Sequence, residues 1–492
     1  MSVRVLMLGW EFPPFITGGL GTACYGLTKA MDRAGMDVTF VLPKAVDTSG
    51  SSHVHLMSPG LEMGDPIQNF DHPIQLAPEE PPLPLDPEKK EALIEELRLR
   101  FKNIGFLDLP MTVDSSYGSY ETLHRALLET TSEERLKVLM ESSSQATDAH
   151  HEISPQLRAL IEEYNAEEEA EDSYIEAKTS NAADYGGDLV GQAHAYAHFC
   201  VDVARHVDFD VIHAHDWLTF PAGLAVARLS GRPLVVQVHS TEFDRSGEHV
   251  NQPVYNIERR GMRGAVRIIA VSELTKRICV SRYGISPDKI DVVYNGVDFE
   301  PSNITPIETK DKIVLFFGRI TMQKGPEYFL QAAKRVLDVV DDVKFVVAGS
   351  GDLAAMMIEM AADMGIGNKV LFTGFLRGRD ISRVFALADL YVMPSVSEPF
   401  GIAPLEAMSH DVPVLISKSS GVSEVLSHAL KVDFWDVEEM ANKIVAVLRH
   451  APLSKALRDN GRFEVRTLTW DGAATRCGAV YKEAIEQMAA IH

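Results

Sequence analysis

Cysteine is scarce in this chain. Four residues, Cys24, Cys200, Cys279 and Cys477, are scattered through 492 positions, and none has CxxC or CxH spacing. Structural disulfides and a zinc site are therefore not expected, and a reducing cytoplasm is the expected compartment. Positive charge is short as well. Lys and Arg number 47 against 70 Asp and Glu, a net charge of −23, which argues against nucleic acid and anionic membranes as main partners. No stretch approaches the ~20 consecutive apolar residues of a membrane span. The opening "MSVRVLMLGW" has no long apolar core, so no signal peptide is expected. No repeat with a period of roughly 20–50 residues is visible, which excludes a solenoid.

What is present reads as an α/β protein. Hydrophobic residues make up 46% of the chain and charged residues 24%. Its length is too great for one core, so two or three domains of ~100–200 residues are expected. "VRVLML", a glycine-containing turn, a helical stretch, Gly35 and "MDVTFVLP" form a βαβ unit, which implies a parallel sheet. The alternation breaks near residue 50. Residues 60–185 hold 28 Asp and Glu against 10 Lys and Arg. This net −18 leaves only −5 for the rest, so the acidity belongs to one segment. Its Pro-rich "APEEPPLPLDP" and polar helical runs read as an insertion into the first domain. So acidic a segment is a poor lining for an anion site, and a charge run of this kind by itself reads as a solvated appendage.

Alternation resumes at "HVDFDVIHAHDW" and "RPLVVQVHSTEFD". A helix over about 252–264, the strand "RIIAVS" and a helix ending at Tyr283-Gly284 follow, and "IDVVYNGVD" closes the first domain. Residues 300–311 read as a linker. A second series begins at "KIVLFFGRI" and continues through "VKFVVAGSG", "KVLFTGFL", "LYVMPS" and "PVLISK". The chain ends in a helical stretch. Two Rossmann-like domains in tandem would place ligand in the cleft at their C-terminal strand ends.

Several residues there could carry chemistry. In "FITGGLGTA", Gly18, Gly19 and Gly21 allow close backbone approach before a helix whose free amides could hold phosphate. The spacing fits neither GxGxxG nor GxxxxGK[ST], and a tight turn is the alternative. Arg319 and Lys324 in "GRITMQKG" lie just past a strand end, where two cations suit a pyrophosphate gaining charge as a bond breaks. Solvated surface charges are the competing reading. His213, His215, Asp216 and His239 close two strands. A metal site is conceivable, but no HExxH or paired-carboxylate spacing supports one. "DFD" at 208–210 resembles a metal-binding Asp-x-Asp but precedes its strand, on the wrong sheet edge. "SVSEPFGIAPLEAM" places Glu398 and Glu406 eight residues apart around Gly401. There the amides of Ile402 and Ala403 open a helix able to take phosphate. One glutamate for each sugar of a nucleotide-sugar accounts for both carboxylates.

Together these motifs resemble the retaining glycosyltransferases of GT-B architecture. "EPFGIAPLE" is similar to the family's E-x7-E motif, "GRITMQKG" to its Arg/Lys pair and "GGLG" to its phosphate loop. "HAHDW" and His239 are similar to glycogen and starch synthases. The resemblance covers residues 1–50 and about 190–492. It implies an N-terminal acceptor domain over 1–300 with insertion 60–185, a donor domain over 301–470, and a final helix over 471–492 that returns to the first domain as a hinge. It implies that Arg319 and Lys324 bind the diphosphate, Glu398 the hexose and Glu406 the ribose. Gly19 and the 401–403 amides would add phosphate contacts, His239 would touch the donor sugar, and Asp216 would face the acceptor. Phe375 and Leu376 in "TGFL" would pass the base along the backbone, and the acidic insertion, lying in the domain that holds the acceptor, would be a partly helical lid beside the acceptor channel. The implied reaction moves glucose from ADP- or UDP-glucose to an α-glucan or related sugar with retention, using no metal or other cofactor. One departure is Ile16, where bacterial glycogen synthases have the lysine of Lys-x-Gly-Gly. Transfer of another hexose to a small sugar, and nucleotide-sugar epimerisation, are the alternatives.

Overall fold

The runs "VIHAH" and "LVVQV" are buried along their whole length. Continuous burial of this kind belongs to parallel strands covered on both faces, where neither side can be polar. In the computed structural model, which describes residues 3–12, 19–43, 54–57, 189–298, 309–376 and 378–490, such strands build two parallel sheets. The first comprises β1 (Arg4–Leu8), β2 (Asp37–Val41), β3 (His55–Met57), β4 (Val211–His215), β5 (Leu234–Val238), β6 (Arg267–Ala270) and β7 (Ile290–Val292), in the order 3-2-1-4-5-6-7. The second comprises β8 (Lys312–Phe317), β9 (Val343–Ala348), β10 (Val370–Gly374), β11 (Leu390–Met393), β12 (Val414–Ser417) and β13 (Leu430–Val432), in the order 10-9-8-11-12-13. Both are Rossmann-like. In each, strand order reverses beside the first strand of the series, between β1 and β4 and between β8 and β11. A ligand crevice opens outside the strand ends at such a point.

Sequence pattern located most of these elements. The expected helix at 252–264 spans Gln252–Gly264, and the next ends at Tyr283 with Gly284 in a left-handed cap. Two strands escaped it. β3 extends the first sheet beyond the expected break near residue 50 and pairs with β2; β13 pairs with β12. Three-residue strands are too short to show a period. The Asp208–Asp210 turn lies where expected, with Asp210 bonding the Arg4 guanidinium at 2.9 Å at the N-terminal strand edge. The expected insertion, 60–185, lies outside the described residues, as does most of the expected linker.

The final helix, Trp470–Ala489, is a core element of the first domain. Its residues Trp470, Ala474, Cys477 and Tyr481 are buried with Cys24, Leu27 and Met31 of the helix Gly19–Arg33. Gly26 makes this possible, since a Cβ there would meet the Trp470 indole at 2.3 Å. The chain reaches this helix by a bridge between Val297 and Thr469, with the Val297 amide donating to Leu468 at 3.0 Å.

Candidate functional site

β8 delivers Gly318 and Arg319 to the switch point of the second sheet, and a 3-10 turn, Met322–Lys324, turns the lysine back towards β11. Lys324 Nζ lies 2.5 Å from Glu398 Oε2, and the Ser395 hydroxyl donates to the same oxygen at 3.2 Å. The backbone of Glu398 is clamped as well. Its amide donates to Ser419 at 3.0 Å, and its carbonyl accepts from Gly421 at 2.9 Å. A charge pair this enclosed must hold its geometry, because either charge left alone would carry an unmet desolvation cost. Arg319 is exposed and makes no ion pair with a described residue.

Gly401 adopts φ +99°, a conformation that side chains oppose, and feeds Ile402 and Ala403 into the short helix Ala403–Ser409. Glu406 stands in its first turn, half-buried, with no carboxylate partner among the described residues. Burial pushes its carboxyl up to about 7. The sign of the consequence follows from linkage. Between the unfolded carboxyl range and pH 7 the folded state holds the extra proton, so stability falls as pH rises through this window. Glu406→Gln should therefore melt higher than the parent at pH 8 and show no gain near pH 4. A melting series across pH checks this, and an equal gain at both ends would contradict it.

At the first sheet, β4 ends in His215 and Asp216. Asp216 has φ +59°, the strained left-handed region for a non-glycine residue. This turns its carboxylate across to the end of β5, where Oδ1 accepts the His239 amide at 2.7 Å and that of Ser240 at 3.3 Å. Burial, opposed by Arg245 and these two amides, pushes its carboxyl up to about 7. Burial also holds the imidazoles of His213 and His239 at about 3, and His215 well below its ordinary range, so all three are neutral at physiological pH.

Sequence reasoning missed the residues that join the two sheets. The Asp244 carboxylate accepts the Ser397 hydroxyl at 2.6 Å, one residue before Glu398, and the Ser272 hydroxyl donates to the Pro399 carbonyl at 2.6 Å. Glu424 of the second domain caps the helix Glu273–Tyr283, accepting its first amides at 2.9 and 2.7 Å. Asp244 is itself fixed in a capping box with Thr241. The Thr-x-x-Asp spacing at 241–244 was the available signal. Beneath it, Arg245 binds Glu242 at 3.1 Å and Glu258 at 2.5 Å, and the Tyr283 hydroxyl donates to Glu258. Glu242 and Glu258 are fully buried. Breaking such a network strands a charge, so Arg245→Ala should destabilise the protein by roughly 3–5 kcal/mol. Chemical denaturation measures it; a loss under 1 kcal/mol, about the worth of a surface ion pair, would contradict the assignment.

The structure thus brings Lys324, Glu398, Gly401, Ile402, Ala403 and Glu406 to one switch point, and Asp216 and His239 to the other. Gly19 opens the helix Gly19–Arg33 with open space around it, while Gly18 and Ile16 lie outside the described residues. Phe375 and Leu376 follow β10 at the sheet edge. The Phe375 side chain is half-exposed, and that of Leu376 packs with the cluster containing Phe385 and Tyr391. Among the described residues, no three His, Cys, Asp or Glu are grouped to hold a metal ion.

Residues 298–463 match the family model "Glycosyl transferases group 1", residues 183–301 match "Glycosyltransferase Family 4", and residues 4–72 match "Starch synthase catalytic domain". An uncharacterised glycosyltransferase of Methanocaldococcus jannaschii is 31% identical over 301 residues, 57% of this chain and 77% of the relative. The chain belongs to the group 1 glycosyltransferases. D-inositol 3-phosphate glycosyltransferase 1 of Catenulispora acidiphila is 30% identical, over 57% of this chain and 73% of the relative. Among solved structures, Anabaena HepE in complex with UDP and glucose is similar in fold, with a TM-score of 0.61, 16% identity and coverage of 98% of this chain and all of that one. This glycosyltransferase therefore has the GT-B fold, with its Lys324–Glu398 pair and its Asp216–His239 turn at the two switch points of that fold. No helix among its described residues is long and apolar enough to cross a membrane.

Proposed function

We propose that this glycosyltransferase moves glucose, with retention, from a nucleoside diphosphate glucose (ADP- or UDP-glucose) to an α-glucan or related sugar acceptor. The observation that carries this reading is the 2.5 Å Lys324–Glu398 pair at the β8–β11 switch point, beside the Gly401 turn. Lys324 and Arg319 meet the diphosphate, with Gly19 and the 401–403 amides adding contacts. Glu398 receives hydroxyls of the hexose, Glu406 those of the ribose. His239 touches the donor sugar, and Asp216 faces the acceptor. The bond from the anomeric carbon to the β-phosphate oxygen breaks, the acceptor oxygen bonds that carbon on the face just vacated, and its proton passes to the leaving phosphate. Cations at the departing oxygen stabilise charge that develops only as the bond breaks, which is where such stabilisation accelerates a reaction. Metal-independent transfer is part of this proposal: activity should persist in excess chelator, and a loss that added divalent cation restores would contradict it.

A second reading keeps the chemistry and changes the acceptor. The 30% identity to a D-inositol 3-phosphate glycosyltransferase favours a small sugar-like acceptor, with the hexose transferred left to the donor screen. One experiment separates them. ADP-, UDP- and GDP-sugars are screened by nucleoside diphosphate release against glycogen, short maltooligosaccharides and glucose 6-phosphate, with products analysed. Chain extension of the glucans supports the first reading. Transfer only to a small acceptor supports the second. A free epimerised sugar without acceptor transfer would overturn both. With the correct donor, Glu406→Ala raises the donor KM more than it lowers kcat, and an unchanged KM would remove Glu406 from the ribose.

A further inference from the structure

Four aromatic side chains run in line from the C-terminal helix to the cleft. The Tyr481 hydroxyl is 2.6 Å from His213 Nδ1. The His213 and His215 rings, two residues apart on one face of β4, have centroids 4.2 Å apart. His215 Nδ1 is 2.9 Å from His239 Nε2. His213 and His215 are fully buried; His215 Nε2 is enclosed without a hydrogen-bond partner, whereas His213 faces the Gln237 side chain, whose Oε1 is likewise buried and otherwise unpaired. His239 is half-buried.

Proton bookkeeping decides the tautomers. A neutral imidazole carries one N–H and one lone pair. If His239 Nε2 held the proton between itself and His215, then the proton of His215 would sit on Nε2, a buried donor with no acceptor. If His215 holds it on Nδ1, the enclosed Nε2 is a bare lone pair instead. Buried orphan donors are rarer than under-used acceptors, so the second arrangement is favoured. His213 has an acceptor at hand in the Gln237 side chain, so its proton sits on Nε2 and its Nδ1 accepts the Tyr481 hydroxyl at 2.6 Å. Every buried donor in the line then has an acceptor facing it. His239, accepting at Nε2, is left with its proton on Nδ1.

We infer that His215 is a positioning residue that fixes His239 as an Nδ1–H donor towards the sugar, and that Tyr481 and His213 brace it from behind. This rests on the reading that His239 meets the donor sugar. The bond made by one ring nitrogen sets what the other can offer. His239 thus presents a hydrogen-bond donor to a sugar oxygen, and the C-terminal helix is tied to the cleft through a side-chain line.

Asparagine decides the test, because its side-chain N–H can stand where His215 Nδ1–H stands, whereas leucine has no donor. His215→Leu should lower kcat roughly 10–100-fold, the usual scale for losing a partner that orients a working side chain. His215→Asn should recover to within about threefold of the parent. Melting temperatures separate this from packing, and equal loss in both variants together with equal destabilisation would overturn the inference. Parental activity in His215→Leu would overturn it too. Imidazole 15N spectra of the parent give a readout that needs no activity: His239 should show a protonated Nδ1 and an unprotonated Nε2, and the opposite tautomer would sink the idea. A full-activity His239→Ala with the expected spectrum would instead discredit the sugar contact and leave the tautomer assignment standing.

Discussion

Lys324→Ala and Glu398→Ala should each lose roughly 10²–10³ in turnover, the cost of removing one preorganised charge-stabilising group. Stability complicates the reading, because Lys324 and Glu398 are partners at 2.5 Å with side chains only 21% and 9% exposed. Either single variant leaves an enclosed charge unpaired and should melt lower. The double variant Lys324→Ala/Glu398→Ala removes both charges. It should regain melting temperature without regaining turnover, since the orphan charge is gone but the catalytic group is not restored. Steady-state kinetics and thermal melts on the three variants provide the check. Near-parental turnover in both single variants would refute the site.

Removal of the C-terminal helix should abolish the folded first domain. A hinge role, which the family resemblance implies for this helix, would instead leave a protein truncated at 470 soluble but inactive or hydrolysing donor. The packing changes that expectation. Trp470, Cys477 and Tyr481 are at most 4% exposed and belong to the cluster that contains β1 and the helix Gly19–Arg33. Loss of that helix would open the sheet's face to water. A gentler probe is Trp470→Ala, which leaves a cavity against Gly26 and should cost roughly 3–5 kcal/mol. Denaturant unfolding measures it. A truncated protein that stays monomeric with a cooperative melt would show that the helix is dispensable to the core and restore the hinge reading.

The two sheets were legible because parallel strands must be apolar on both faces, so "VRVLML", "KIVLFF" and their successors announce themselves locally. The glycines, cations and glutamates of the site were legible for a related reason. They lie in the short loops following strands or in the first turn of the helix that comes next, where sequence neighbours are also spatial neighbours: Arg319 and Lys324 after β8, Glu398 and Gly401 after β11 with Glu406 one helical turn on, Asp216 after β4, His239 after β5.

Contacts between distant segments left no such trace. Nothing in "HSTEFDR" shows that Asp244 reaches Ser397, 153 residues on, nor that Arg245 is enclosed between Glu242 and Glu258. The short strands β3 and β13 were hidden because three residues carry no periodicity. By itself the sequence determined the fold class, the two Rossmann-like series and the chemical types gathered at their loops. Only tertiary structure decided that Lys324 pairs with Glu398, that the C-terminal helix completes the first core, and that Tyr481 stands behind three histidines. Periodicity reports what one element buries, whereas these pairings depend on how elements far apart in the chain are packed together.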